Sequence, residues 1–196
     1  MVVVDKAAAW TSHDVVAKLR KVYRQRRVGH AGTLDPDATG VLLVGLGRAT
    51  RLLRFLQDAG KGYRATIVFG VSTTTLDASG EVVDRRPMPI DQGDIEAVLP
   101  AFLGEIEQLP PMVSAVKVGG RRLHELARRG EEVERAPRRV RVDRIDVEAF
   151  EPGPYPAARV LVECSSGTYV RSLAADIGGR LGVDADLFEV AHGDGG

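Results

Sequence analysis

A chain of 196 residues with 27 basic and 27 acidic side chains, no net charge and 44% hydrophobic content has enough apolar material to close one core. It holds no apolar run near the roughly 18 residues that span a bilayer, and Met1-Val2-Val3-Val4-Asp5 lacks the charged-then-apolar layout of a secretion signal, so a cytoplasmic enzyme is expected. A single cysteine, Cys164, excludes an internal disulfide, and four scattered histidines offer no metal-ligand spacing, so neither a structural zinc nor a redox centre is expected.

Val2 to Val4 reads as a short strand. Thr11 and Ser12 sit where a helix N-cap belongs and Asp14 completes a capping box, which predicts a helix to about Tyr23. From Gly29 to Gly40 glycines and a proline break every periodicity, the pattern of a loop. Val41 to Leu46 follows as a buried-type strand and Arg48 to Ala59 as a helix, with Arg48, Arg51 and Arg54 opposite Leu52, Leu53, Phe55 and Leu56.

Lys61 to Phe69 alternates as a strand that puts Tyr63, Ala65, Ile67 and Phe69 on one face. Turn residues 77–80 precede a strand from Glu81 to Val83, and Asp91 starts a helix ending near Phe102. Gln108 to Pro111 is a rigid extended segment leading into a strand from Ser114 to Val118. A helix from Arg121 to Arg129 stops at Gly130. Val140 to Phe150 and Ala157 to Cys164 alternate as strands, and a helix runs from about Tyr169 to Leu181. Strands and helices interleave without strict β-α-β order, which implies an α+β fold on a mixed sheet.

The zero net charge hides an uneven distribution. Ten basic residues face five acidic ones between Lys117 and Arg144. Lys18, Arg20, Lys21, Arg24, Arg26 and Arg27 fall in a stretch without any acid. Each cluster alone could be a solvated helix face; these two together with the row Arg48, Arg51 and Arg54 favour a polyanionic partner.

Asp35 is the first candidate for chemistry. Asp-Pro usually caps a turn, but the flanking glycines let backbone approach a ligand and hold a side chain in an unusual direction. Arg171 lies early in a helix, where the macrodipole disfavours a cation, so an anionic partner is expected there, unless its stem merely packs over the sheet. Tyr63 and Tyr169 read as core-edge residues or, beside a basic surface, as platforms for a base.

Four ordered stretches resemble the TruB family of tRNA pseudouridine synthases. The first runs from Gly29 to Gly40 and contains Asp35. The second joins Lys61 and Tyr63 to Gly70 through Thr73, Thr75, Asp77 and Gly80. The third is Gln108 to Pro111 with Ser114, Ala115 and Lys117, and the fourth is Cys164 to Ala174 with Asp176.

That resemblance implies the pseudouridine synthase catalytic fold, a mixed and mostly antiparallel central sheet flanked by helices, over residues 1–182, with an RNA-gripping insertion at about 117–144. It implies isomerisation of uridine 55 in the T-loop of tRNA by a monomer without metal or cofactor. Asp35 would cleave the glycosidic bond as nucleophile or base, Tyr63 would stack on the flipped base and accept a proton, and Arg171 would pair with Asp35. His30, Tyr169 and Val190 would bind the substrate nucleotide and its surroundings. Arg24, Arg26, Arg27, Arg121 and Arg122 would contact the backbone of the T-arm.

Several positions depart from the family pattern. Residues 6–10 lack a usual proline and glycine, Asp37 replaces an apolar residue beside the catalytic loop, and Val113 and His124 replace aromatic ones. Residues 183–196 are expected as a divergent tail, without the usual pair of arginines or the C-terminal RNA-binding domain. A catalytically impaired RNA-binding or tRNA-folding module is the alternative those departures suggest.

Overall fold

The computed structural model describes residues 1–56, 60–112, 114, 117–118, 121–123 and 133–193. Strands β1 (Val2–Lys6), β2 (Val28–Ala31), β3 (Thr39–Leu46), β4 (Lys61–Phe69), β5 (Val71–Thr73) and β6 (Val82–Arg85) occupy the first half. They are followed by β7 (Gly104–Gln108), β8 (Lys117–Val118), β9 (Arg121–Arg122), β10 (Arg138–Glu151), β11 (Ala157–Cys164) and β12 (Ala185–Gly193). The helices are α1 (Ser12–Val22), α2 (Leu53–Leu56), α3 (Gln92–Val98) and α4 (Val170–Leu181).

Eight strands form the main sheet in the order β1-β3-β12-β4-β11-β10-β7, with β2 paired to β3 beside this path. Among the described strands of this sheet the β3/β12 pair is parallel and the other pairs are antiparallel. This is the α+β arrangement with a mixed, mostly antiparallel sheet. Two small ribbons, β5-β6 and β8-β9, stand apart from it.

Capping fixes the helix starts. The Thr11 hydroxyl accepts from the Asp14 N–H at 3.0 Å while the Asp14 carboxylate accepts from the Thr11 N–H at 2.9 Å. Asp91 and Asp94 repeat the arrangement at α3, which a 3-10 turn extends over Leu99–Phe102.

The structure corrects several expectations. Residues 185–193 are a central strand rather than a tail: Ala185, Asp186 and Leu187 are buried at 3%, 1% and 5% exposure, and both edges of β12 find partners. The loop expected from Gly29 to Gly40 shortens to 32–38, since Gly29 in β2 pairs with Gly45 near the end of β3, and Gly40 at the start of β3 pairs with Lys6 of β1 and His192 of β12. Gly40, at φ +104, has no room for a side chain: a Cβ would lie 2.0 Å from the His192 carbonyl.

The single helix expected from Arg48 to Ala59 is a 3-10 turn (Gly47–Arg51) followed by the short α2. Arg121 and Arg122 form β9 by pairing with Val118 and Lys117, so the helix expected from Arg121 does not begin there. Leu123, the next residue, is helical and buried; the rest of that expected helix, with His124, and also Val113, lie outside the described residues. At the departure over residues 6–10, Ala9 sits at φ +64, a conformation that costs an L-residue about 1–2 kcal/mol and that glycine adopts freely.

Two hydrophobic clusters share the sheet. The larger joins β4, β10, β11 and β12 to α3 and α4 through Ile67, Phe69, Ile95, Val160, Leu173 and Ile177. The smaller joins α1 to β2, β3 and the 32–38 loop through Val15, Val16, Leu34, Leu42 and Val44. Tyr63 and Val190 touch both clusters, so the seam between the two cores runs past them.

Candidate active site

The backbone on each side of Asp35 is tied down. The Ser12 hydroxyl accepts from the Leu34 N–H at 3.0 Å and lies 3.3 Å from the Leu34 carbonyl. Lys6, fully buried, donates its amine to the carbonyls of Ala7 at 3.1 Å, Trp10 at 2.6 Å and Pro36 at 2.8 Å. Burial lowers the Lys6 pKa, while the nearby charges of Asp37 and Asp35 oppose that fall. With Leu34 and Pro36 both anchored, the Asp35 side chain is aimed by main chain it does not itself hold.

Arg171 meets it from the first turn of α4. Its Nη2 donates to Asp35 Oδ2 at 2.5 Å and its Nη1 to Asp77 Oδ2 at 2.9 Å. Only 6% of the Arg171 side chain is exposed, against 18% for Asp77 and 54% for Asp35. The anion expected near this helix start is therefore two carboxylates, one sealed in and one facing solvent. Asp77 is fixed in turn by the Thr75 hydroxyl at 2.6 Å and by the Ser79 hydroxyl and N–H at 2.5 and 3.1 Å.

Desolvation raises the Asp35 carboxyl above its ordinary range, and the charges of Asp77 and Asp37 push in the same direction. Arg171 opposes them through charge and hydrogen bonding without reversing the shift. The guanidinium thus aims Asp35 and restrains a rise in its pKa that the surroundings impose.

Tyr63 lies on β4 at the seam of the two cores, half-buried. Burial first, and then the Cys164 and Asp35 charges, push its phenol upward, so it stays protonated at neutral pH. Its ring meets that of His192 on β12 edge-on, with centroids 5.0 Å apart. The Nδ1 of His192 lies 2.8 Å from the Val41 carbonyl.

His30, on β2, has its Nδ1 on the Gly32 carbonyl and its ring 5.5 Å from that of His13 on α1. Burial lowers its pKa against the pull of the Gly32 contact, and the charges of His13 and Lys61 add to the fall. Lys61 approaches the same loop closely: a Cβ on Gly32 would lie 2.8 Å from its amine.

Tyr169 is the N-cap of α4, and its backbone is clamped by a fully buried amide. Gln108 donates to the Tyr169 carbonyl at 3.3 Å and accepts from the Tyr169 N–H at 3.0 Å. The third of the four sequence stretches thereby orients the fourth. Val190 lies in the middle of β12 opposite Ala65.

Sequence reasoning gave no role in the site to Asp77, Gln108, Lys6, Ser12 or His192, reading Ser12 only as part of a helix cap, Asp77 as a turn residue and Gln108 as part of an extended segment. Asp77 and Gln108 stood inside quoted stretches, and an acid or amide in a loop of small residues was the available signal. Lys6, Ser12 and His192 carried none, because each acts through contacts distant in sequence. Arg24, Arg26, Arg27 and Arg121 are exposed, and among the described residues none of them pairs with a carboxylate; the Arg122 side chain is outside the description.

A family model described as TruB family pseudouridylate synthase, N-terminal domain, matches residues 20–170. The chain belongs to this family. It is 54% identical over 183 residues to tRNA pseudouridine synthase B of Symbiobacterium thermophilum, covering 93% of this chain and 61% of that protein. It is 53% identical over 193 residues to the protein of the same name from Thermobifida fusca, covering 95% and 66%. The chain thus spans under two thirds of the length of these relatives.

Among solved structures it superposes on a chain of a Cbf5-Nop10-Gar1 complex with a TM-score of 0.73 and 34% identity, covering 97% of this chain and 47% of that one. A second match, at TM-score 0.69 and 30% identity, covers 97% of this chain and 46% of a chain from an H/ACA RNP bound to a substrate RNA containing 2'-deoxyuridine. Among the described residues of this TruB-family chain, no group of three or more His, Cys, Asp or Glu side chains could hold a metal ion. No described helix is long and apolar enough to cross a membrane.

Proposed function

We propose that this chain isomerises uridine to pseudouridine in tRNA, at position 55 of the T-loop, acting as a cytoplasmic monomer with Asp35 as its catalytic carboxylate. The observation that carries the reading is one buried guanidinium holding a solvent-facing Asp35 at 2.5 Å and a sealed Asp77 at 2.9 Å, beside a half-buried Tyr63. Names of relatives that are more than half identical support the same substrate.

A uridine within a folded loop must leave its stack to reach a carboxylate in a depression, which costs a few kcal/mol of unstacking. Asp35, ionised and aimed by Arg171, attacks the nucleotide as nucleophile or base and breaks the bond between N1 of uracil and C1' of ribose. The freed uracil turns and rejoins through C5, and the C5 proton leaves. N1 of the detached uracil takes up a proton in exchange for the one lost from C5, so apart from that exchange with solvent the product is an isomer and the chemistry requires no co-substrate. Tyr63 stacks on the uracil, and its phenol, held protonated by burial, can take the C5 proton only after it has ionised. Val190 and Tyr169 line the base pocket, and His30 fills the space the nucleotide vacates. Arg24, Arg26, Arg27, Arg121 and Arg122 contact backbone phosphates, which position the RNA without reading its sequence.

Pseudouridine mapping of an unmodified tRNA transcript after incubation with the chain and with Asp35→Asn tests the reading. Modification confined to the T-loop uridine, made by the parent alone, supports it. Tight binding of the tRNA by both proteins without modification would replace it with the RNA-binding module.

A further inference from the structure

The turn that carries Asp77 hangs on β12. On either side of Asp77 the chain bonds to one residue of that strand: the Leu187 N–H donates to the Leu76 carbonyl at 3.3 Å and the Ala78 N–H to the Leu187 carbonyl at 3.0 Å. Thr73, at the end of β5, holds the backbone of Asp77 itself with its hydroxyl, which donates to the Asp77 carbonyl at 2.8 Å and accepts from the Asp77 N–H at 3.1 Å. Asp77 anchors Arg171, so these hydrogen bonds fix the guanidinium that aims Asp35.

Asp186 stands beside this suspension. It precedes Leu187 on β12, is 1% exposed, and its Oδ2 has no hydrogen-bond partner among the described residues. Thr73 reaches its carboxyl through both hydroxyl and backbone, and the charges of Asp77, on the 74–80 turn, and of Asp184, on the turn out of α4, act on it. β4 opposes it with Val68, and α4 packs on the strand by setting Gly178 against Ala185. The Arg171 guanidinium is taken up by Asp77 and Asp35.

A carboxylate sealed in beside two like charges with one oxygen empty is unfavourable, whereas a protonated carboxyl in the same place has a hydrogen to give. Thr73 has one hydroxyl hydrogen, and an ionised Asp186 competes for it with the Asp77 carbonyl. A protonated Asp186 donates instead to the lone pair that the Asp77 N–H leaves free on the Thr73 oxygen. The Thr73 hydrogen then stays on Asp77.

We infer that Asp186 is a positioning residue for the reaction at Asp35: its carboxyl donates to the Thr73 hydroxyl, keeps that hydroxyl's own hydrogen on the Asp77 carbonyl, and so holds Asp77 and Arg171 in place. The inference rests on the proposed isomerase. Asp186 touches no substrate; its effect passes through Thr73 and Asp77. When rising pH ionises Asp186, the Thr73 hydrogen passes to it, the Asp77 carbonyl loses its shortest hydrogen bond, and the rate falls.

The test compares the parent, Asp186→Asn, Asp186→Ala and Thr73→Val. It measures single-turnover pseudouridine formation on unmodified tRNA from neutral to alkaline pH, tRNA affinity, melting temperature and hydrogen exchange at the Asp77 amide. Asp186→Ala removes the donor, so its rate falls about 10-fold at every pH while tRNA affinity stays within about 2-fold. Exchange at the Asp77 amide quickens about 5-fold in the same variant, the worth of one hydrogen bond. Asp186→Asn keeps a donor that cannot ionise, so it rescues the neutral rate and moves the alkaline fall to higher pH. In the Thr73→Val background the two Asp186 changes no longer differ. A merely structural Asp186 would move the melting temperature and leave the pH profile alone, and Asp186→Asn carries this arm even where Asp186→Ala does not fold. Asp186→Ala turning over at the parent's rate, or an unmoved alkaline limb in Asp186→Asn, overturns the inference and leaves the isomerase standing. A parent that makes no pseudouridine overturns the isomerase; exchange at Asp77 then decides the tether, quickened exchange in Asp186→Ala supporting it and unchanged exchange overturning it.

Discussion

Asp35 and Asp77 share one guanidinium: Arg171 gives Nη2 to the first at 2.5 Å and Nη1 to the second at 2.9 Å. The two acids are not equivalent, because solvent reaches 54% of the Asp35 side chain and 18% of that of Asp77. The sealed carboxylate keeps the cation in place, and the exposed one is left to meet substrate.

Replacing Asp77 should therefore act on Asp35. The Asp77 charge helps raise the Asp35 pKa, so Asp77→Asn lowers it and moves the acid limb of the rate profile to lower pH. The same change frees Arg171 from one anchor and should reduce the single-turnover rate at least roughly 10-fold, since geometry of this kind contributes multiplicatively to rate. tRNA affinity should stay within about 2-fold, which is worth only ~0.4 kcal/mol. An unmoved acid limb would separate Asp77 from the chemistry.

The central place of β12 can be tested at a glycine. Gly40→Ala puts a Cβ 2.0 Å from the His192 carbonyl at φ +104, while Gly167→Ala meets nothing within 4 Å at φ +88. Both pay the backbone cost of a positive φ, about 1–2 kcal/mol. Gly40→Ala should lose on the order of a further 2 kcal/mol, because the parallel β3/β12 joint must open. Urea unfolding of the two variants measures the difference, and equal losses would argue that β12 is not held against β3.

Asp186 supplies a stability signature with a defined sign. It is buried at 1% exposure on β12, and its Oδ2 has no hydrogen-bond partner among the described residues. Desolvation raises its pKa against hydrogen bonding from Thr73, and the charges of Asp77 and Asp184 add to the rise. A carboxyl whose folded pKa exceeds its unfolded value favours the fold at low pH and loses that contribution as pH rises through the interval between the two. Asp186→Asn should therefore stabilise the protein at pH 8, with the gain vanishing below about pH 4, the unfolded carboxyl range. Melting temperatures across that range check it, and a gain independent of pH would refute the account.

Much of this architecture was legible in the residues. The Thr11–Asp14 and Asp91–Asp94 caps were local signals, and β4 and β11 alternated cleanly between faces. Asp35, Tyr63 and Arg171 were grouped by the family resemblance, and of the two readings open for Arg171, an anionic partner or a stem packed over the sheet, the structure shows the anionic partner. The tie of Lys6 to Pro36 and the clamp of Gln108 on Tyr169 were not legible, because hydrogen bonds to backbone distant in sequence leave no periodicity. β12 was missed for a related reason: its short apolar run, broken by Asp184, Asp186 and Glu189, carries no clean alternation. Its strand character comes from being enclosed by β3 and β4, which is a tertiary cause. β2 was hidden by glycines that read as loop but serve close packing, as Gly29 does against Leu53.

The most direct test of the central claim is tritium release from unmodified tRNA labelled at uridine C5, measured for the parent chain and for Asp35→Asn. The C5 proton leaves only if uracil has detached and rejoined through carbon. The expected result is release approaching one equivalent per tRNA with the parent and none above background with Asp35→Asn, at equal tRNA binding. Release by Asp35→Asn at the parent's rate would contradict the assignment of Asp35, and no release by either would contradict the isomerase.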